Sequence, residues 1–89
     1  MLKITITRET VGEVHLILEG KIAEQWAALL DGVCRSHLRK HQTVQLDCAH
    51  VEFVDAGGVE VLRNLPLRDV KLVRAPKFIT QLLSEGDAP

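Results

Sequence analysis

The spacing of apolar residues along this chain switches between two values, and the switching dictates the class of fold. Leu2, Ile4 and Ile6 alternate with Lys3, Thr5 and Thr7, and Val14, Leu16 and Leu18 resume the alternation after a turn at Glu9-Thr-Val-Gly12. A period of two is that of a strand with one buried face. The connection is too short for a crossover, so the pair reads as an antiparallel hairpin. Glu19-Gly20-Lys21 breaks the pattern. From Ile22 to about Arg39 the residues Ile22, Trp26, Leu29, Leu30, Val33 and Leu38 form one stripe at helical spacing, with Glu24, Asp31, Arg35 and Lys40 mostly off it. Gly32 within that helix lowers its stability by about 1 kcal/mol relative to Ala, which a close approach to the sheet would explain.

Val44, Leu46 and Cys48 restore the strand period, with Gln45 and Asp47 opposite. A second, short helix must end before Pro66, which cannot continue it. Val70-Lys-Leu-Val73 reads as a short strand, and Pro76 opens a last helix with Phe78, Ile79, Leu82 and Leu83 inward. The order β-β-α-β-α-β-α predicts one α/β domain over residues 1–84, with a mixed four-stranded sheet and about three helices. Right-handed crossovers put helices on at least one face. Glu85-Gly-Asp-Ala-Pro89 reads as a frayed tail. A chain of 89 residues supports a single modest core and no more.

Charge and composition narrow the function. The net charge is −1 and the 11 basic residues are scattered, with only Arg35-Ser-His-Leu-Arg-Lys-His41 locally basic. Aromatic residues are confined to Trp26, Phe53 and Phe78, so no stacking platform for nucleic acid is expected. The alternating amino terminus contains no apolar run, which argues against a signal peptide or membrane insertion and for a cytoplasmic protein. The two cysteines fit reduced thiols better than a disulfide framework.

One stretch carries more information than the rest: Val51-Glu-Phe-Val-Asp-Ala-Gly-Gly-Val-Glu-Val-Leu-Arg-Asn-Leu65. It begins as a strand, turns through Asp-Ala-Gly-Gly, and ends as an amphipathic helix. Asp55 stands at the N-cap, where its carboxylate accepts from the free N–H of Gly57 or Gly58 and favours the positive end of the helix dipole. At about 100° per residue, Gly58, Val59, Leu62 and Leu65 share the inner side. Ala56, Glu60, Arg63 and Asn64 share the outer one. Gly58 lets helix and sheet approach closely, while Ala56 forms a small uncharged tip that leads into a polar stripe.

The segment Val44-Gln-Leu-Asp-Cys-Ala-His-Val-Glu-Phe-Val-Asp-Ala-Gly-Gly-Val-Glu-Val-Leu62 resembles the core motif of STAS domains, the fold of bacterial anti-sigma factor antagonists. Asp47, Val51, Phe53, Asp55, Gly58 and Leu62 fall where that motif places them, and Leu16-Ile-Leu-Glu-Gly20 followed by a helix also fits. The resemblance implies a non-catalytic module for protein interaction in signalling and transcription regulation. Its partner would be an anti-sigma factor, a histidine-kinase-like regulator or, in an alternative branch, the ATPase of a bacterial lipid-trafficking ABC transporter. The implied contact is this turn, the helix after it and the loop before the first helix. The partner-binding residues would be Lys21, Ala56, Gly57, Glu60, Arg63 and Asn64, with Asp55 and Gly58 setting the turn.

The sequence departs from the family at the residue after Asp55, commonly a Ser or Thr that a partner kinase phosphorylates. Phosphate there would add about −2 charge to the contact and expel the partner. Ala56 has no hydroxyl to accept it, and no Ser or Thr lies between Gln45 and Thr80. The chain stops soon after Leu83, where many members add a strand and a closing helix, so contacts through that helix are not expected.

Other constellations point elsewhere. Cys34, His37, His41, Cys48 and His50 invite a zinc reading, but their spacing matches no common framework, and buried thiols with solvated histidines are expected instead. A thiol enzyme using Cys48 or Cys34 lacks an oxyanion hole and an activating third group, so no catalytic residue is assigned. Asp47 and Asp55 could form an acid–base pair, but capping and loop satisfaction account for both. Gly57-Gly58 could cradle a phosphate, yet the remaining glycines and the Lys of a P-loop are absent. No cofactor or metal is implied. Trp26 is expected in the core by its place on the apolar stripe.

Overall fold

A computed structural model describes residues 1–85; the expected tail beyond Glu85 lies outside them. The elements are β1 (Leu2–Glu9), β2 (Glu13–Ile22), α1 (Gln25–Arg39), β3 (Thr43–Val54), α2 (Ala56–Asn64), β4 (Val70–Val73) and α3 (Lys77–Glu85). The four strands lie side by side in chain order, β1 antiparallel to β2 and the other pairs parallel. The predicted mixed sheet, element order and three helices are all present.

Period-two patterning produces the core directly. Val14, Leu16 and Leu18 of β2, Val44, Leu46 and Cys48 of β3, and Val70 of β4 are all buried. The register pairs Leu16 with Leu46 and Val44 with Val70, so these side chains stand on one face. The helices close that face with Ala27, Leu30 and Cys34 of α1, Val59 and Leu62 of α2, and Ile79 of α3. α1 packs on β2 and β3 and against α2, and α2 packs against α3.

The expected end of the second strand at Glu19-Gly20-Lys21 is instead an irregularity inside it. β2 continues to Ile22, and its register with β3 shifts between Ile17 and Glu19 and again between Gly20 and Lys21. Gly20 has φ 106°, and a Cβ there would collide with the Met1 carbonyl oxygen, which accepts from the Lys21 N–H at 2.9 Å. At the second shift the extra residue is Glu52 of β3, which stands between the partners of Gly20 and Lys21. β3 likewise runs past Cys48 to Val54, burying Val51 and Val54.

The first helix also differs from expectation. It starts at Gln25, after Glu24 at φ 55°, so Ile22 belongs to the strand. Its buried face is Ala27, Leu30, Cys34 and His37, while Leu29 is 46% exposed and Trp26, Val33 and Leu38 are half-buried. Ile22 therefore leaves the stripe, and the inner face falls on Ala27, Leu30, Cys34 and His37, with the bulkier Trp26 and Leu29 at its margin. Gly32 does not face the sheet at all: it is exposed, with nothing within 4 Å of where a Cβ would stand. Pro76 precedes α3, its carbonyl accepting from Ile79 and Thr80.

Candidate functional site

Where β3 ends beside β2, Ile22 pairs with Val54 and the Asp55 N–H donates to the Ile22 carbonyl at 3.1 Å. Asp55 is extended (φ −84°, ψ 179°), the geometry of an N-cap. Its Oδ1 accepts from the Gly58 N–H at 2.7 Å, so the cap bond goes to Gly58, one of the two candidates read from the sequence. Its Oδ2 accepts from the Glu24 N–H at 3.0 Å. One carboxylate therefore holds the entrance of α2 and the entrance of α1 together. The Glu24 bond, then the Gly58 bond, keeps the Asp55 carboxyl below the usual carboxylate range.

Gly58 turns inward as the wheel requires. A Cβ on it would collide with the Ile22 carbonyl oxygen and lie 2.8 Å from Val54 Cγ1. Gly58, Val59, Leu62 and Leu65 are buried, and Ala56, Gly57, Glu60, Arg63 and Asn64 are exposed, as is Lys21 at the end of β2. Some of the outer residues have internal duties. Arg63 Nη2 donates to the Leu82 carbonyl at 2.6 Å, binding α2 to α3. The Asn64 carbonyl accepts from Arg35 Nη2 at 3.3 Å, binding α2 to α1. The side chains of Lys21 and Glu60 make no hydrogen bond among the described residues, and Ala56 and Gly57 offer only surface.

Sequence reasoning missed Phe53. It stands two residues before Asp55, is 48% exposed, and lines a cleft of about 330 Å³ with Glu52, Phe78, Gln81 and Leu82. Strict alternation would send it inward with Val51. The burial run of Val51 in, Glu52 and Phe53 out, Val54 in shows the period lost at that point. The cause is the extra residue Glu52 of β3, to which β2 gives no partner.

The remaining candidates are dispersed. Cys34 and Cys48 are fully buried, and burial pushes both thiols up to about 12. His37 is buried on α1 and pairs through Nδ1 with Gln42 Oε1 at 2.8 Å. Gln42 Nε2 in turn donates to Glu9 Oε2 and the Thr10 carbonyl, both at 2.9 Å. His41 and His50 are exposed. Among the described residues no three of His, Cys, Asp and Glu converge in a metal-binding group. Asp47 is held by the Arg74 guanidinium, whose Nε lies 3.0 Å from Oδ2, and it also accepts from the Ala49 N–H at 3.1 Å. The Arg74 hydrogen bond keeps its carboxyl below the usual range. Asp47 and Asp55 thus have separate partners and form no acid–base pair.

No protein-family profile and no curated protein sequence matches this chain. Among solved structures, the anti-sigma factor antagonist SpoIIAA in its unphosphorylated form superposes with a TM-score of 0.73. The match covers 92% of this chain and 82% of that one at 12% identity. The fold is STAS-like. At that identity the likeness is one of architecture, and the STAS-like frame accounts for an interior β3 leading into a short helix through the Asp55 turn. Among the described residues no helix is long and apolar enough to cross a membrane.

Proposed function

We propose that this chain is a non-catalytic docking module that presents the Asp55–Gly58 turn and the outer face of α2 to a regulatory protein. The observation that carries the reading is the double anchorage of Asp55, which fixes the tip formed by Ala56 and Gly57 before any partner arrives. A preformed tip lowers the ordering cost of association. Around it, Lys21 and Glu60 are charged, exposed and unengaged among the described residues, and Arg63, Asn64 and Phe53 extend the surface. The fold it shares with an anti-sigma factor antagonist supports a partner of the anti-sigma or kinase-like type and a role in bacterial transcription regulation in the cytoplasm. Docking is independent of phosphorylation at the tip, because the Ala56 methyl cannot accept a phosphoryl group. Catalysis by either cysteine is disfavoured by the same burial that raises the thiols, since the thiolate is the nucleophile.

The test is an affinity capture from source cells with the parent and Ala56→Glu as parallel baits, read by mass spectrometry. Recovery of an anti-sigma or kinase-like protein by the parent and its loss from the Glu bait is the expected result. Loss of a transporter ATPase would keep the docking face and move the role to a membrane complex. Identical captures from both baits would place the interface elsewhere on the domain.

A further inference from the structure

β1 ends the sheet, with no strand beyond it among the described residues. Its ladder to β2 decides which backbone groups are left over. The Lys21 N–H donates to the Met1 carbonyl at 2.9 Å, and the register that sets Leu2 beside Gly20 makes Met1 and Lys21 a hydrogen-bonded pair. Such pairs alternate along an antiparallel ladder, so Lys3 and Thr5 turn their backbone groups toward β2. Leu2, Ile4 and Ile6 turn theirs outward. Both ends of that edge are closed. Leu2 is only 4% exposed, and the register shift between Ile6 and Arg8 puts an extra residue, Thr7, into β1. The open edge therefore runs from Lys3 to Thr7, is centred on Thr5, and offers the N–H and C=O of Ile4 and Ile6. Unpaired groups of this kind are a template for another strand.

The helix side of the same edge is apolar and uncovered. Ile4 and Ile6 stand on that side, since their register partners Leu18 and Leu16 belong to the core. α1 packs on β2 and β3, and Ile6 remains 50% exposed. On α1 itself, the exposed Leu29 and the half-buried Val33 share one flank. At about 100° per residue Asp31 and Arg35 fall on the other flank, where Arg35 reaches the Asn64 carbonyl of α2. α2 links β3 to β4 and so lies toward β4, which turns the flank of Leu29 and Val33 toward β1. An occupant must supply a strand for the edge and an apolar body for the hollow beside it. A lone extended peptide supplies only the first. A second copy supplies both, its own β1 and its own α1 flank.

We propose that the β1 edge is a self-association surface, at which a second copy of this chain pairs antiparallel about a two-fold axis at Thr5 and continues the sheet. Thr5 then opposes Thr5 of the second copy, and Ile4 exchanges backbone hydrogen bonds with Ile6 of the second copy. Lys3 opposes Thr7, so no charge directly faces its like. The contact is isologous, and Ile6, Leu29 and Val33 lose water between the two α1 helices. A standard interface takes about 800 Å² from each partner, roughly one-seventh of the 5544 Å² surface of this chain. One short edge and one helix flank supply less than that, so the dimer is reversible, with Kd on the order of tens of micromolar. Through the ladder Thr5 stands level with Ile17 and Asp47. The Asp55 turn lies further along β3, so it stays free in each copy and the dimer presents two of them.

Two measurements on the full chain test this. In sedimentation equilibrium from low to high micromolar concentration the parent is expected to dimerise. Ile6→Lys, at a site exposed in the monomer, should weaken the dimer about tenfold or more with its Tm unchanged. Phe53→Lys, at an exposed apolar residue away from this edge, should dimerise like the parent. Disulfide trapping then locates the axis, because opposed residues that exchange no hydrogen bonds bring their Cβ atoms within reach of a disulfide. Thr5→Cys treated with oxidised glutathione should give a reducible covalent dimer. Lys3→Cys, which faces Thr7 of the second copy, should not, and the buried Cys34 and Cys48 take no part. A parent that remains monomeric, an Ile6→Lys protein that dimerises like the parent, or a cross-link as ready at Lys3→Cys as at Thr5→Cys would each overturn the proposal.

Discussion

Asp55 Oδ2 accepts the backbone N–H of Glu24 at 3.0 Å across a separation of 31 residues. The other oxygen caps its own helix at Gly58. Glu24 is at φ 55°, a conformation that a residue other than glycine adopts with difficulty, so the bond steadies an unfavourable backbone. The pair fixes the relative position of the two helix entrances that flank the candidate docking surface.

Graded substitution at Asp55 separates the two bonds. Asp55→Asn keeps one side-chain oxygen for the cap and loses the charge and the second acceptor. Asp55→Ala loses both. Thermal denaturation is expected to rank the proteins parent, Asn, Ala in falling Tm, with the Ala variant lower by several degrees. Equal Tm values for Asn and Ala would mean that the Gly58 bond contributes nothing on its own.

The acid limb of stability follows from the same carboxylate. Asp55 and Asp47 both have folded pKa values below their unfolded ones, Asp55 through its backbone bonds and Asp47 through Arg74. Their contribution is therefore complete above the unfolded carboxylate value of about 3.9 and lost as pH falls through the lower, folded value. Urea denaturation at a series of pH values is expected to show stability falling below about pH 4. The fall should be shallower in Asp55→Asn. Parallel curves for parent and variant would remove Asp55 from the acid response.

Adjacent glycines at the same helix entrance are expected to respond in opposite ways to alanine. Gly58→Ala drives a Cβ into the Ile22 carbonyl oxygen and against Val54 Cγ1, both parts of packed strands, and should cost about 2–4 kcal/mol. Gly57→Ala meets only Asp55 Oδ1, at 3.5 Å, an ordinary contact. Its removal of glycine flexibility should stabilise the protein by up to about 1 kcal/mol. Chemical denaturation of the two variants decides the matter, and similar losses in both would contradict the inward orientation of Gly58.

The sheet was legible because its signal is local. Val14, Leu16 and Leu18 announce a buried strand face without reference to anything else in the chain. The outer side of α2 was legible for the same reason, since Val59, Leu62 and Leu65 define their own opposite face. The inner face of α1 was not. It depended on how the helix seats on β2 and β3 and against α2, which only the assembled fold decides. Phe53 was lost because the extra residue Glu52 in β3 changes which residues face outward after it. Nor could local pattern reveal that Gln42 would join His37 to Glu9, residues from three separate elements or connections.

That last network gives a stability prediction unrelated to the docking face. Gln42 is only 5% exposed and uses both ends of its amide, accepting from His37 and donating to Glu9 and Thr10. Gln42→Ala leaves the buried His37 imidazole N–H without its acceptor, so the loss should be about 1–3 kcal/mol. Gln42→Glu keeps the acceptor for His37 but places a second carboxylate beside Glu9. It should also destabilise, because burial and the second carboxylate both disfavour its charge, and the loss should lessen as the pH falls and the new carboxyl group takes up a proton. An Ala variant as stable as the parent, by urea denaturation, would show that water replaces the amide at no cost.

The cysteines report on the whole fold. Cys34 and Cys48 are each 0% exposed, and desolvation pushes each thiol up to about 12. Very little thiolate forms at neutral pH, and a reagent reaches neither sulfur until the core opens. Alkylation of the native protein should therefore be far slower than in denaturant, with both residues reacting at nearly the same rate. Where opening is fast relative to modification, the rate follows the open population. A variant such as Gln42→Ala should then react about tenfold faster for each 1.4 kcal/mol of stability it loses. Rapid labelling of one cysteine in the fully stable parent, measured by mass spectrometry, would instead mark an accessible thiol and revive a chemical role for it.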